Sequence, residues 1–160
     1  MFMFVTGHRP DKLGGWDSFS HDRLTQFAEH HIQELTVKNS VDCWFIGMAL
    51  GWDMACAQAC ANLGIPYFAT IPMIDQPKMW RSADTEKWTE LCRRSRRTII
   101  VSEPGYDSSK MMVRNRYMVN RSQMGLALWD GSSGGTGNCV AYAKSCGKEV
   151  INVWSDYVRQ

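Results

Sequence analysis

Gly125-Leu126-Ala127-Leu128-Trp129, then Asp130-Gly131-Ser132-Ser133-Gly134-Gly135-Thr136-Gly137, then Asn138-Cys139-Val140-Ala141-Tyr142-Ala143-Lys144-Ser145 stand end to end and decide how the chain is read. The first is an apolar run of strand length. The second places four glycines in seven residues, and the third has the small and apolar residues of a packed helix. A strand that feeds a helix through a glycine-rich turn is the core of a βα unit. The stretch Glu149–Trp154 that follows reads as the next strand.

The same grammar extends to both ends. Met1–Thr6 reads as a strand, and Phe19–Lys38 as a helix with Leu24, Phe27, His31 and Leu35 at helical spacing and Ser20 as its N-cap. Asp42–Gly47 is a second strand, and Asp53–Leu63 a small-residue helix stopped by Gly64 and Pro66. Tyr67–Ile71 and Thr98–Ser102 read as strands, Lys78–Arg94 and Ser109–Gln123 as helices, with Pro72–Pro77 expected to arch over the sheet edge. Six strands interleaved with helices predict the α/β class: a mainly parallel sheet of about six strands, covered on both faces. No linker, repeat or low-complexity tract interrupts the pattern, so residues 1–160 are read as a single domain.

Composition agrees and sets limits. At 160 residues the chain suits one hydrophobic core, and 44% hydrophobic with 21% charged residues is a globular balance. A formal charge of +2 supplies no bulk attraction to nucleic acid or membrane. No apolar run reaches the roughly 18–20 residues of a membrane helix, and the N-terminus lacks the basic segment of a signal peptide. The six cysteines form no Cys-x-x-Cys pair and are expected to be reduced, buried small hydrophobes of a cytoplasmic protein. No metal set and no cofactor motif is read.

In open α/β sheets ligands sit beyond the carboxyl ends of the strands, and three such loops are rich in glycine and polar residues. Thr6-Gly7-His8-Arg9-Pro10 follows the first strand, with a sharp turn at Gly7 and positive charge at Arg9. Gly47-Met48-Ala49-Leu50-Gly51-Trp52-Asp53 enters the small-residue helix, whose first amides suit an anion. Asp53 reads either as an ordinary cap or as a carboxylate that holds a ribose hydroxyl or faces an anomeric carbon. The Asp130–Asn138 loop has the physics of a phosphate loop: free N–H groups, a hydroxyl and a helix start. It is not a Walker loop, since no Gly-Lys-Ser/Thr follows, and it is not a Gly-x-Gly-x-x-Gly after the first strand. Arg114, Met118 and Arg121 fall on one helical face and suggest a helix pinned against a polar ligand, whereas Arg93-Arg94-Ser95-Arg96-Arg97 reads as a solvated helix end.

At these loops the sequence resembles the YpsA-like branch of the SLOG superfamily, which includes the Lonely Guy phosphoribohydrolases and DNA-processing protein A. Thr-Gly-His-Arg-Pro, Gly-Met-Ala-Leu-Gly-x-Asp, Arg-Asn-Arg-Tyr-Met-Val-x-Arg-Ser and Asp-Gly-x-x-x-Gly-Gly-Thr occur in the same order between residue 2 and about residue 154. The resemblance implies a three-layer Rossmann-like domain, often homo-oligomeric, that binds nucleotides or their derivatives. It implies ligand contacts from Gly47, Met48, Ala49, Gly51, Asp53, Arg114, Asn115, Met118, Gly134, Gly135 and Thr136. The loops themselves add Thr6, Gly7, His8, Arg9, Asp130, Gly131 and Gly137. Lonely Guy enzymes carry Pro-Gly-Gly-x-Gly-Thr-x-x-Glu, whose glutamate serves N-glycosidic cleavage, but this chain reads Ser133-Gly134-Gly135-Thr136-Gly137-Asn138-Cys139-Val140 with no acid there. Asp53, Glu103 and Asp130 are the remaining candidate catalytic carboxylates. The expected function is therefore sensing or sequestering a nucleotide-like small molecule. The alternative is a nucleotide N-glycosidase or base-exchange transferase, and a third reading is single-stranded DNA binding. Trp52, Trp80 and Tyr117 are candidates for stacking on a base.

Overall fold

The computed structural model describes residues 1–15 and 17–160. Six strands, β1 (Phe2–Gly7), β2 (Cys43–Ile46), β3 (Tyr67–Ile71), β4 (Arg97–Ile100), β5 (Met124–Leu128) and β6 (Glu149–Asn152), form one sheet in the order β4-β3-β2-β1-β5-β6. Every pairing is parallel. The helices are α1 (Ser18–Lys38), α2 (Trp52–Leu63), α3 (Ser82–Arg94), α4 (Ser108–Arg121), α5 (Gly135–Ser145) and α6 (Trp154–Arg159), with a 3₁₀ turn at Pro10–Lys12. The chain steps from β1 to β4 toward one edge, then crosses back to lay β5 against the other side of β1. That reversal makes the β1–β5 boundary the topological switch point, where such sheets open a crevice.

Strand alternation sorts the core into two layers. Met3 and Val5 of β1, Trp44 and Ile46 of β2, and Leu126 and Leu128 of β5 pack with α1, α2 and α3. Phe4 and Phe45, one residue out of phase, pack with Met118 and Val119 of α4 and Cys139 and Ala143 of α5. Gly125 is required here, because a side chain would enter the ring of Phe4.

Boundaries differ from the sequence reading where side chains compete with the backbone. The α1 N-cap is Asp17, whose carboxylate accepts from Ser20 N at 2.7 Å, so Ser20 lies inside the helix instead of capping it. Helix α3 starts at Ser82, not Lys78: residues 75–80 make successive turn bonds (Lys78 N to Asp75 O, Trp80 N to Pro77 O), and Arg81 is extended. The glycine-rich loop is shorter than it reads, because Gly135–Gly137 already form the first turn of α5. The last strand ends at Asn152, whose Oδ1 accepts from both Trp129 N and Trp154 N and turns the chain into α6. Of the cysteines, Cys43, Cys56, Cys60 and Cys139 are buried and Cys92 is half-buried, while Cys146 is exposed, against the expectation that all are core residues. No helix is long and apolar enough to cross a membrane among the described residues.

Candidate functional site

The site is built around the ends of β1 and β5. His8 N donates to Leu128 O at 3.2 Å, and His8 Nε2 lies 2.9 Å from Asp130 Oδ1 and 3.0 Å from Asp130 N, stitching the two strand ends together. The His8 ring meets Trp154 of α6 edge-on at 5.7 Å, and Tyr157 Oη donates to Leu13 O at 3.0 Å. Helix α6 thus braces the segment that carries Arg9, Asp11 and Lys12. From that segment Lys12 Nζ donates to Ser132 Oγ at 2.7 Å across the cleft.

The loop between β2 and α2 is wired inward. Gly47 O accepts from Arg114 Nη1 and from Gln76 Nε2, and Arg114 Nε donates to Asn115 Oδ1 at 2.8 Å. A side chain on Gly47 would collide with the Arg114 guanidinium. Gly51 has φ +95°, and a Cβ there would stand 2.5 Å from His8 O. Trp52 N donates to His8 O, and Ala49 N to Asp53 Oδ2 at 3.2 Å. Asp53 is buried, and its Oδ1 has no hydrogen-bond partner among the described residues. Burial pushes the Asp53 carboxyl above its ordinary range, opposed by the charges of Arg114 and Arg9. Burial also lowers Arg114, with Asp53 opposing.

The third wall is the glycine loop. Asp130 Oδ1 accepts from Ser132 N at 2.9 Å and from Ser132 Oγ, and these bonds, with His8, hold its carboxyl far below the usual range. Trp129 Nε1 donates to Ser132 O at 2.8 Å. The first intrahelical bond of α5 is Asn138 N to Gly134 O, so the amides of Gly135, Thr136 and Gly137 precede the ladder, as helix starts leave them.

These walls enclose one cleft of about 390 Å³. Thr6, Gly7, His8 and Arg9 line it from β1, Ala49 and Asp53 from the α2 start, Arg114 and Asn115 from α4, and Gly134, Gly135, Thr136 and Gly137 from the glycine loop. Other sequence candidates stand behind it. Met48 (φ 63°) and Met118 are fully buried, Gly47 and Gly51 serve the packing just described, and Gly131 lies outside the lining. Asp130 organises the loop from outside the cleft, and Glu103 is exposed in the β4–α4 connection with its carbonyl bound by Lys110. Arg121 is exposed over the Tyr117 ring at 3.5 Å, off the buried face that Arg114 and Met118 share. Trp52 is core, Tyr117 packs beside Phe45, and Trp80 lines a separate hollow with Met79 and Arg81. The sequence reading missed Asp11, Lys12, Ser132, Ser133, Tyr106, Ser108 and Met111 in the lining. Ser132 and Ser133 were legible as part of the glycine loop; the β4–α4 residues carry no glycine or charge signal. Away from the cleft, ligand atoms of His30, His31 and Glu34 on α1 lie within 4.8 Å of one another, another grouping not foreseen.

A parallel Rossmann-like sheet with a polar crevice at its switch point is the class of protein that fold and site define. Residues 3–150 match the profile of the YspA SLOG family, and the chain belongs to that family. It is 35% identical to the uncharacterized SPbeta prophage-derived protein YoqJ of Bacillus subtilis (strain 168), over 71% of this chain and 75% of that protein. Among solved structures it resembles DNA processing protein A of Streptococcus pneumoniae, with TM-score 0.66 and 16% identity over 92% of this chain. It also resembles DNA processing protein A of Helicobacter pylori, a structure described for its single-stranded DNA binding mode, with TM-score 0.64 and 16% identity over 94% of this chain. A third likeness is to TM1055, with TM-score 0.59 and 14% identity over 93% of this chain and 71% of that one. The chain spans 48% of the pneumococcal protein and 63% of the H. pylori protein. At these identities the likeness carries the fold.

Proposed function

We propose that residues 1–160 form a nucleotide-binding domain that senses or sequesters a nucleotide or nucleotide-derived molecule. The observation that supports this best is the meeting, in one cleft, of Arg9, the amides of Gly135–Gly137 and the buried Asp53 with an unshared oxygen. A phosphate would rest on the α5 start, where the amides and the helix dipole favour an anion, and Arg9 would add a charge-assisted bond. A ribose hydroxyl would donate to Asp53 Oδ1, supplying the partner that a buried acceptor otherwise lacks. The volume falls within the range of about 300–1,000 Å³ typical of ligand pockets. Six free thiols suit the reducing cytoplasm. Calorimetric titration with ribonucleoside 5′-monophosphates tests the reading: wild type binds, and Arg9→Ala and Asp53→Asn each weaken binding at least about tenfold, one hydrogen bond to a charged group being worth ~1.5–3 kcal/mol. Unchanged affinity in both variants contradicts it.

The unshared oxygen of Asp53 also favours a second reading, an N-glycosidase or transferase, because such cleavage needs a carboxylate near the anomeric carbon. Free base released at catalytic rates by wild type, and lost in Asp53→Asn, would select it over simple binding. Single-stranded DNA binding, described for the H. pylori fold relative, predicts instead an affinity that falls steeply with salt.

A further inference from the structure

Tyr106 lines the cleft and yet is 69% exposed. Its backbone is held on both sides. Gly105 N donates to both carboxylate oxygens of Asp75 at 3.0 and 3.1 Å, and Lys110 Nζ donates to the carbonyls of Glu103, Pro104 and Gly105. Asp107 caps α4 by accepting from Ser109 N at 2.9 Å. The ring itself stacks on no aromatic or cationic side chain among the described residues. A hydrogen-bonded loop thus presents a large flat apolar surface to a cleft that also holds Arg9, Asp53 and Arg114, with Met111 the apolar neighbour in the same lining. With the backbone beneath it already held, covering the ring with a planar group orders only the two side-chain torsions of a tyrosine.

We propose that Tyr106 is the platform on which an aromatic base stacks, so that the occupant is a nucleotide retaining its base and not a bare phosphorylated sugar. This rests on the nucleotide reading of the cleft and adds the base subsite to it. The polar walls hold the phosphate and ribose ends, and the Tyr106–Met111 wall takes the planar end. Stacking tolerates any base, because every base offers a π-face. Tyr106 therefore sets the class of ligand without selecting one base.

The test is calorimetric titration of adenosine, guanosine, cytidine and uridine 5′-monophosphates and of ribose 5-phosphate into wild type, Tyr106→Ala and Tyr106→Phe. Wild type is expected to bind at least one nucleotide about tenfold tighter than ribose 5-phosphate. Tyr106→Ala should lose about that factor for the nucleotide while its affinity for ribose 5-phosphate is unchanged, and Tyr106→Phe should keep wild-type affinity. Equal nucleotide affinity in Tyr106→Ala, or an equal loss for nucleotide and ribose 5-phosphate, overturns the platform and leaves the anion cradle standing. A wild type that binds none of the five overturns the nucleotide reading and this inference with it.

Discussion

Two strand–glycine–helix junctions flank β1 in this fold and behave in opposite ways. At the β2–α2 junction the glycines make room for protein: Gly47 for the Arg114 guanidinium, Gly51 for the backbone of His8. Several of its polar groups are bonded internally, with Ala49 N on Asp53, Trp52 N on His8 O, and Gly47 O on Arg114 and Gln76. At the β5–α5 junction a Cβ on Gly134 or Gly135 would meet nothing within 4 Å, and the helix-start residues Gly134–Gly137 line the cleft. Glycine at the first junction is a packing requirement; at the second Gly134 and Gly135 keep a surface open, and only Gly137, where a Cβ would stand 2.9 Å from Ser132 O, is packed in the same way. Both look alike in sequence, and both read there as anion loops. The second lines the cleft with the α5 start, whereas the first turns Trp52 N back onto His8 O and brings Ala49 and the Asp53 carboxyl to the lining.

Substitutions at the two junctions should separate these roles. The largest effect is expected for Gly51→Ala, which forces a Cβ to 2.5 Å from His8 O at φ +95°. It should cost about 3–5 kcal/mol in chemical denaturation or abolish folding. Gly135→Ala, at a position with open space, should leave stability within about 1 kcal/mol of wild type. Its methyl group should nevertheless lower nucleotide affinity by roughly tenfold, since it narrows the approach to the helix-start amides. If Gly135→Ala destabilises as much as Gly51→Ala, the contrast is broken.

Asp53 sharpens it through pH. The folded state raises this carboxyl above its ordinary 3.8, chiefly by burial, so the folded chain holds the proton more tightly than the unfolded one. Asp53 therefore makes stability fall as pH rises from about 4 through the raised value. Asp53→Asn should remove that slope, and its stability relative to wild type should improve from pH 4 to pH 8 in parallel denaturation series. Asp130 runs the other way. Its carboxyl is depressed by Ser132 and His8, so its support of the loop is present above the ordinary carboxylate range and is lost as pH falls through its folded value. Asp130→Asn should speed amide exchange at residues 131–134 while leaving β1–β3 unchanged. The smallest effect belongs to Arg121→Ala, which should change neither nucleotide affinity nor stability by more than about 0.5 kcal/mol, because its guanidinium lies over Tyr117 in solvent.

How much of this was legible follows from range. Strand and helix identities are local, carried by runs such as Phe2-Met3-Phe4-Val5 and by glycine stops, and they were readable. Strand order was not, because the crossover that sets β5 against β1 depends on contacts between residues more than 100 apart, such as Phe4 with Gly125. The three cleft loops were legible because glycine and charge mark them. Tyr106 and Met111 were not, since an aromatic or a methionine in a connection looks the same whether it faces solvent, a core or a ligand. Helix α6 was hidden for a related reason: Val153-Trp154 reads as strand, and only the bonds to Asn152 and the packing of Trp154 on His8 turn it into a brace.

The most direct test of the account is a ¹⁵N-edited NMR titration of the folded chain with adenosine 5′-monophosphate, following backbone amides one by one. The account predicts saturable shifts concentrated at Gly134, Gly135, Thr136 and Gly137, with Asp53 and Arg9 responding and Trp52, Met54 and Ala55 nearly still. Shifts centred on the α2 start with the α5 start silent, or no saturable shifts at the strand ends at all, would contradict it.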